Sequence, residues 1–471
     1  MKLPGRHAFF SLLLLLALPS SAEAPQPLAL TEVLQNLEKT FPVILLATRE
    51  IRKAEFDILS AQGAFDLALK GSATNQSGYY DSNRFETNLE KPTSIWGTSF
   101  FAGYRFSQGE FPDYYGERRT NSAGEIRFGG RIPLWRDRSV DQGRLELKQN
   151  EIQKQIAGNI LDEQRLQVFR DATASYWNWL ASGKRLRILQ NLLTIATARQ
   201  EQIRKRVKLG DLPAIEEKEN DRAILARREQ ITAAERLLQK SALYLSLYFR
   251  TEDGKMIAPR EEKLPADFPP EGAVRISAFE ADKAFALEHR PEVKRILKEI
   301  EMEHNALAFQ ENQRSPQLDL ILRGSRDIQT GTNFRRDPWE GDFALVFNIP
   351  LQTRKQDGKI GGTEQKIEIL KTKLSYQKDR ISIEANEALI MLENALKRMA
   401  IIKEELSVAE NLAKAEKTRF DLGDSTLLIV NLREQAAAEV ALRLVGAEMD
   451  YWVAQADYDA ILMRYFRGKG N

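Results

Sequence analysis

The sequence predicts a mainly α-helical chain with a small amount of β structure, arranged as two tandem copies of one plan. A hexapeptide of pattern Arg-x-x-Leu-Gly-Asp occurs twice, as RVKLGD at 206–211 and RFDLGD at 419–424. Each copy ends a long run, 143–208 or 358–421, in which glycine and proline are rare and helix-forming residues dominate. Short segments that alternate apolar and charged residues precede each run, as expected of β-strands.

Three further sequence landmarks also occur twice, and the four landmarks follow one another in the same order in both copies. The pairs are FDLALKGS at 65–72 with LDLILRGS at 318–325, RIPL at 131–134 with NIPL at 348–351, and an amphipathic stretch with a closing proline at 30–42 with another at 276–291. Four ordered matches indicate an internal duplication.

The duplication predicts the domain organisation. The predicted units are a signal peptide at 1–22, a first repeat at 23–250, a linker at 251–275, a second repeat at 276–466 and a tail at 467–471. In each repeat we expect a helix, a strand pair (65–135 or 316–351) and a long helical hairpin (143–248 or 358–466), which gives four strands in all. The first copy holds about 36 extra residues between its strand landmarks, the difference between offsets of 253 and 217. The inserted stretch 83–122 is either a further strand or a loop.

The N-terminus has the pattern of a secretory signal peptide. Lys2 and Arg6 form a basic start, Ala8–Leu18 is mostly apolar, and small residues follow. No later run approaches the ~18 apolar residues that a transmembrane helix needs. The chain contains no cysteine, so we expect an exported protein that is stabilised by packing and association rather than by disulfides.

Charge and residue inventory argue against several function classes. The 69 basic residues nearly balance the 67 acidic ones, so nucleic acid is not an expected partner. The three histidines, His7, His289 and His304, have no ligand-spaced partners, so we expect no metal site. The usual nucleophile–base sets and phosphate loops lack their parts. We therefore expect no catalytic residue, no cofactor and no enzymatic activity.

The strand segments place apolar and charged side chains on opposite faces. Ile126 and Phe128 alternate with charged neighbours, and Phe343, Leu345 and Phe347 do so in the same phase in the second copy. A soluble sheet that packs its own core and a membrane barrel both give this pattern. Segment 65–135 holds 14 of the 40 aromatic residues, which favours the barrel. Four strands cannot close alone, so a barrel requires several copies.

The hexapeptide has the composition of a turn between two helices. Gly210 and Gly423 suit the left-handed position that follows a helix. Asp211 and Asp424 are expected to cap the N-termini of the returning helices, and Pro213 is expected in the first turn of its helix.

Together these features resemble the TolC family of outer-membrane efflux proteins. The resemblance covers essentially the whole mature chain and includes HRPEV at 289–293, SPQLDL at 315–320 and NIPLQTRKQDGKIG at 348–361. It implies a TolC-like α/β-barrel fold that combines α-helices with membrane β structure. Three copies would each give four strands to one twelve-stranded barrel, and the long helices would continue the tube.

The resemblance also implies a function and partners. The expected protein is a homotrimer in the outer membrane that extends into the periplasm and serves as the passive exit duct of a tripartite efflux pump or a type I secretion system. Its expected partners are outer-membrane lipid, a periplasmic adaptor (membrane fusion) protein and an inner-membrane RND or ABC transporter. The alternative is a soluble periplasmic coiled-coil scaffold or adaptor, against which two full copies and the in-phase strands argue.

Three sets of residues receive expected roles. Docking on the adaptor is implied for the hairpin ends, Arg206, Leu209, Gly210, Asp211, Arg419, Leu422, Gly423 and Asp424. Strand phase assigns the barrel lumen to Asp66, Lys70, Glu125, Arg127, Arg131, Asp319, Arg323 and Asp342. An acidic aperture is implied at Glu216 and Glu219, whereas the second copy has Ile429 and Leu432 at the equivalent positions.

Overall fold

The computed structural model describes residues 26–112, 119–271, 278–328 and 339–464. The predicted signal peptide and the tail 467–471 lie outside this part of the chain. The first copy contains α1 (Leu30–Thr40), α2 (Pro42–Gln62), β1 (Ala68–Gln76), β2 (Ser82–Pro92), β3 (Ser99–Gly109), β4 (Glu125–Pro133), α3 (Gln142–Lys208) and α4 (Ala214–Ser246). The second copy contains α5 (Phe279–His289), α6 (Pro291–Arg314), β5 (Gln317–Asp327), β6 (Glu340–Asn348), α7 (Arg354–Asp421) and α8 (Leu427–Ile461).

The predicted mainly α-helical fold is confirmed, with 67% of the structure in helices. Each copy begins with two helices where one was predicted, because Pro42 and Pro291 start new helices at positions that need no amide hydrogen bond. The residues before them, Phe41 and Arg290, have extended ψ angles of 126° and 138°.

The predicted number of strands is wrong, because the sheet has six strands rather than four. The strands lie in the order β1-β2-β3-β4-β5-β6, and each neighbouring pair is antiparallel. The two extra strands, β2 and β3, form a hairpin that begins at Ser82, one residue before the inserted stretch. The strand alternative for that stretch is therefore correct, with two strands in place of the one further strand considered. The first strand also begins at Ala68 rather than Phe65, because Gly63–Phe65 forms a 3₁₀ turn.

The helices form a row beside the sheet. Near the strands, α2, α3, α6 and α7 pack side by side in that order, and farther away the row is α4, α3, α8 and α7. α3 and α7, with 67 and 68 residues, run through both rows and are each about 100 Å long. The long helices therefore carry the hexapeptides far from the sheet.

The largest apolar core lies where the two rows meet. Trp179, Leu180 and Leu245 are buried there between α3 and α4, together with Leu28 of the N-terminal segment. The hydroxyl of Tyr176 donates to the Leu28 carbonyl at 2.8 Å. Burial of this ring raises the pKa of Tyr176 to about 12.

Tyr176 should make the protein sensitive to alkaline pH. The folded chain keeps the phenol proton at pH values where the unfolded chain, with a tyrosine pKa of ~10, loses it. The stabilisation is therefore complete below pH ~10 and is lost as the pH rises towards about 12. We expect Tyr176→Phe to lower stability by about 1 kcal/mol at neutral pH but to reduce the further loss above pH ~10.

The midpoint of thermal unfolding, followed by far-UV circular dichroism across this pH range, checks the expectation. Tyr244→Phe removes the hydroxyl of an exposed tyrosine and should keep the wild-type pH slope. Equal slopes for the wild type and the Tyr176 variant would contradict the assignment.

Candidate functional site

The first hexapeptide forms the C-terminal end of α3. Gly210 has a φ of 81°, in the left-handed region that glycine adopts without strain. The amide of Gly210 donates to the carbonyl of Val207 at 3.1 Å, and the amide of Asp211 donates to the carbonyl of Arg206 at 2.9 Å. These two bonds make a Schellman motif, so the predicted role of the glycine is confirmed.

The second hexapeptide repeats this geometry at the end of α7. Gly423 has a φ of 85°, and the amides of Gly423 and Asp424 donate to the carbonyls of Phe420 and Arg419 at 3.0 and 2.8 Å. Here the arginine also contacts the turn through its side chain, because Arg419 lies 3.2 Å from the Asp424 carboxylate. In the first copy the guanidinium of Arg206 lies over the ring of Phe420 instead, 5.6 Å from its centroid.

The prediction that the aspartates cap the returning helices is wrong. The N-cap positions of α4 and α8 are held by Pro213 and Thr426, and neither makes a side-chain cap hydrogen bond. Each aspartate lies two residues before the N-cap, because its amide is used to close the preceding helix. Pro213 accordingly lies just before its helix rather than in the first turn.

The structure brings the two hairpin ends together. Ile203, Phe420, Leu427 and Val430 form a buried apolar cluster between them. The two leucines of the hexapeptides point away from it, since Leu209 is 76% exposed and Leu422 is 80% exposed. The ends therefore form one surface with two uncovered apolar side chains, and adaptor docking there stays a prediction.

The predicted aperture residues lie on the first turns of α4. Glu219 pairs with Arg222 at 2.7 Å, and this hydrogen bond lowers the pKa of the Glu219 carboxyl. Glu216 is half-buried. The second copy presents exposed Ile429 and Leu432, so the two hairpins differ in chemistry here, and an aperture role stays a prediction.

Sequence reasoning missed a buried ionic cluster that joins the two hairpins. Arg199 of α3 donates to Glu434 of α8 at 3.1 Å and to Asn431 at 3.2 Å. Arg227 of α4 donates to Glu434 at 3.2 Å and to the Leu192 carbonyl at 3.0 Å. Arg199 and Arg227 are only 7% and 3% exposed. One signal was available: Arg199 continues the apolar spacing of Leu189, Leu192 and Ala196 on the buried face of α3.

The register of the sheet sorts the predicted lumen residues onto one face. Seven of the eight share that face with each other, namely Lys70, Glu125, Arg127, Arg131, Asp319, Arg323 and Asp342. Asp66 precedes β1 and follows the same alternation. Cross-strand ion pairs join Arg105 to Glu125 at 2.5 Å and Arg131 to Asp319 at 2.8 Å. Adjacent strands thus present a charged face, and its role as a lumen stays a prediction.

The opposite face of the sheet is apolar and uncovered. Leu69, Phe343 and Phe347 lie on it and are 71–75% exposed. The helices that pack beside one another do not lie across this face in the described part of the chain. An apolar sheet face of this size needs a covering layer or a non-aqueous environment.

Within residues 26–112, 119–271, 278–328 and 339–464, no group of three or more His, Asp or Glu side chains could hold a metal ion. Over the same ranges, none of the helices has the length and apolarity needed to cross a bilayer.

The hairpin ends should respond to a change of glycine. A Cβ added at Gly423 would meet open space, but the alanine that carries it would have to adopt a φ of 85°. Only backbone strain therefore opposes Gly423→Ala. We expect this variant to destabilise the turn by about 1–2 kcal/mol and to speed amide hydrogen exchange in residues 418–428.

A matched control is Gly358→Ala, which also adds a Cβ in open space but lies inside α7. It should stabilise its helix by about 0.5–1 kcal/mol. Slower exchange at the turn in the Gly423 variant would contradict the role of the left-handed glycine.

The buried ionic cluster should hold the hairpins against each other. Glu434→Gln leaves two buried guanidinium groups without a counter-charge, which we expect to cost about 3 kcal/mol or more. Hydrogen exchange in residues 427–440 of α8 and the thermal midpoint both measure the effect. Glu405→Gln breaks an exposed pair with Arg443 and should cost less than about 1 kcal/mol. Similar losses in both variants would count against the cluster.

The fold is similar to solved bacterial outer-membrane channels. The outer membrane protein VceC from Vibrio cholerae matches with a TM-score of 0.62 and 12% identity, over 92% of this chain and 95% of that chain. The Campylobacter jejuni CmeC outer membrane channel matches with a TM-score of 0.61 and 12% identity, over 98% and 94%. The open state of the Neisseria gonorrhoeae MtrE outer membrane channel matches with a TM-score of 0.61 and 12% identity, over 92% and 88%.

No family model and no curated protein matches the sequence. The likeness to the solved channels nevertheless extends over nearly the whole of both chains and establishes the fold. The chain has a TolC-like fold.

Proposed function

We propose that the chain is the outer-membrane exit duct of a tripartite efflux pump or a type I secretion system. In this proposal three copies, exported through a cleaved signal peptide, surround one passive channel that extends into the periplasm. The observation that carries the proposal is the sheet, which has one apolar and uncovered face and one charged face. The TolC-like fold supports it, and the number of copies is the one that the family resemblance implies.

The two faces of the sheet suit the two sides of a membrane channel. Apolar side chains such as Leu69 and Phe343 are stable against lipid, and charged ones such as Arg127 and Glu125 are stable against a water-filled lumen. A soluble scaffold or adaptor, the alternative, would leave the apolar face in water without a covering layer. The alternative therefore explains the sheet less well.

The helical row has two open edges that suit other copies of the chain. α7 is the outermost helix at one end of both rows, the one near the strands and the one farther away. It exposes four large side chains spaced seven residues apart, namely Ile369, Tyr376, Ile383 and Ile390. This spacing is typical of a coiled-coil seam. The opposite edge is α2 near the sheet and α4 farther away, and both also expose large apolar side chains, namely Leu46, Phe56, Leu225 and Leu243. Pairing α7 of one copy with α2 and α4 of the next would cover both edges.

The hairpin ends are the surface that we propose for the adaptor. They lie about 100 Å of helix away from the sheet, so a sheet in the outer membrane would direct them into the periplasm. Leu209 and Leu422 are exposed apolar anchors at these ends. The inner-membrane RND or ABC transporter would then supply the energy for export.

The membrane assignment predicts opposite outcomes at neighbouring residues of β6. Leu345 is 57% exposed on the apolar face, whereas Ala344 lies on the charged face in line with Arg131. Leu345→Arg should oppose membrane insertion by about 2–4 kcal/mol if the site is near the bilayer midplane. Ala344→Arg should be tolerated.

The amount of heat-stable oligomer in detergent-extracted outer membranes measures insertion for both variants. Equal tolerance at the two sites would contradict the strand phase. Recovery of the wild-type protein in a detergent-free periplasmic extract would contradict the proposed function itself and favour the soluble scaffold.

If the adaptor docks on the hairpin ends, substitutions at these ends alone should weaken its binding. Leu209→Ser combined with Leu422→Ser should weaken binding of the purified periplasmic adaptor that we propose as its partner about ten-fold or more. The oligomer should still form and insert. Leu297→Ser, which changes an exposed leucine of α6, serves as the control and should bind normally. Unchanged binding in the double variant would refute docking through these leucines.

A further inference from the structure

We propose that three copies of this chain close an eighteen-stranded barrel, wider than the twelve-stranded barrel implied by the family resemblance. The proposal rests on the proposed function and concerns the edge that each copy presents to the next. Its basis is the hairpin of β2 and β3, which the duplication does not explain. Five observations support a place for this hairpin in the wall of the duct rather than in a loop outside it.

The hairpin continues both faces of the sheet. Its apolar face carries Phe85, Leu89, Phe100 and Phe106, in line with Leu69 of β1 and Phe128 of β4. Its other face carries Arg84, Glu86, Glu90 and Arg105, in line with Lys70 and Glu125. A loop in water has no need for this alternation. Two strands in the same phase as their neighbours meet the requirement of a barrel wall.

The hairpin is also paired with a neighbouring strand on both of its sides. All nine residues of β1 pair with β2, eleven residues of β2 pair with β3, and seven pairs join β3 to β4. On the charged face Glu86 of β2 forms an ion pair with Arg127 of β4, across β3. Gly103 of β3 lies between these strands, and a Cβ there would lie 2.1 Å from the Asn88 side chain. The absence of a side chain at residue 103 leaves room for these polar groups to meet.

The turn of the hairpin is fitted against the start of α3. Gly97 has a φ of 66°, and an added Cβ would lie 2.4 Å from the carbonyl oxygen of Asp137. The neighbouring Trp96 ring lies under the guanidinium of Arg138, 5.2 Å from the centroid. The turn thus ends at the level where the wall changes from strands to helices, so the hairpin spans the full height of the sheet.

The two outer edges of the sheet suit each other. All nine residues of β1 and eight of the nine residues of β6 are exposed, and neither strand has an outer partner within the described ranges. Because six is an even number, β1 and β6 run in opposite directions. A ring of identical copies therefore joins β6 of one copy to β1 of the next as an antiparallel pair. In lipid these edges must be paired, because no water satisfies their amides and carbonyls.

Six strands fit the width of the helical row. Neighbouring strands lie ~4.8 Å apart, and with a tilt of about 40° each occupies roughly 6 Å of circumference. Six strands then cover roughly 38 Å, whereas four would cover roughly 25 Å. The row of α2, α3, α6 and α7 covers about 32–40 Å when helices pack 8–10 Å apart. The wider barrel thus continues the helical tube without a step.

The added strands set the size of the exit. Barrel diameter grows roughly linearly with strand number, so eighteen strands give about 1.5 times the diameter and about twice the cross-section of twelve. Barrels of 16–18 strands hold an open aqueous channel. In this duct the barrel would then be open, and any restriction of passage would lie at the hairpin ends.

The test uses the full-length wild-type trimer in lipid nanodiscs, imaged by electron cryo-microscopy. We expect eighteen strands around the axis, with β6 of each copy hydrogen-bonded to β1 of the next. A twelve-stranded ring with β2 and β3 outside it would overturn the inference and leave the proposed function intact. A protein that is soluble without detergent would overturn the proposed function and the inference together.

Paired cysteines give a second measurement in cells, since the chain has none of its own. Ser72→Cys with Glu86→Cys joins direct neighbours on β1 and β2 and should form a disulfide in the membrane. Ser72→Cys with Glu125→Cys should not, because three strand spacings separate the two residues by ~14 Å, beyond the ~7 Å reach of a disulfide. In a twelve-stranded barrel β1 and β4 would be neighbours, so efficient cross-linking of the second pair would overturn the inference.

Discussion

The hydrogen bonding at the two edges of the sheet is the constraint on which the rest of the proposed duct depends. A sheet with one apolar and uncovered face is stable against lipid, but its edge amides and carbonyls find no partner there. β1 and β6 are the exposed edges, so in the proposed duct an edge strand of another copy would pair with each of them. This requirement explains why one chain would carry six amphipathic strands and yet form no closed barrel alone.

The outer helices of the row lie on the same two sides of the chain as the edge strands of the sheet. β1 continues from α2 and β6 continues into α7, and α2 and α7 are also the outer helices of the row near the sheet. The heptad stripe of α7 lies on the edge that bears β6, so one contact between copies would join strands and helices together. At the far end the buried Arg199–Glu434 pair and the apolar cluster around Phe420 hold the two hairpins of one copy against each other. Any movement of the ends that separates the hairpins must break these contacts.

Several residues show where local sequence was a sufficient guide. Gly210 and Gly423 occupy the left-handed positions that their place after a long helical run predicted, because this requirement is local. Phe343 and Leu345 share a face as their spacing predicted, because alternation is a property of every strand. The capping role predicted for Asp211 and Asp424 was wrong because it depends on more than the local sequence. Their amides close the preceding helices, and composition alone does not reveal which helix end an aspartate serves.

The sequence by itself determined the duplication, the long hairpins with their glycine ends, and the sorting of strand residues into an apolar and a charged face. Each of these follows from periodicity or from backbone preferences within a short segment. Only the tertiary structure decided that β2 and β3 join the sheet, that Arg199 and Arg227 meet Glu434, and that Trp96 contacts Arg138 in the segment between β4 and α3. These outcomes depend on residues that are distant in the chain becoming neighbours, and no local pattern encodes which strand or helix will lie alongside.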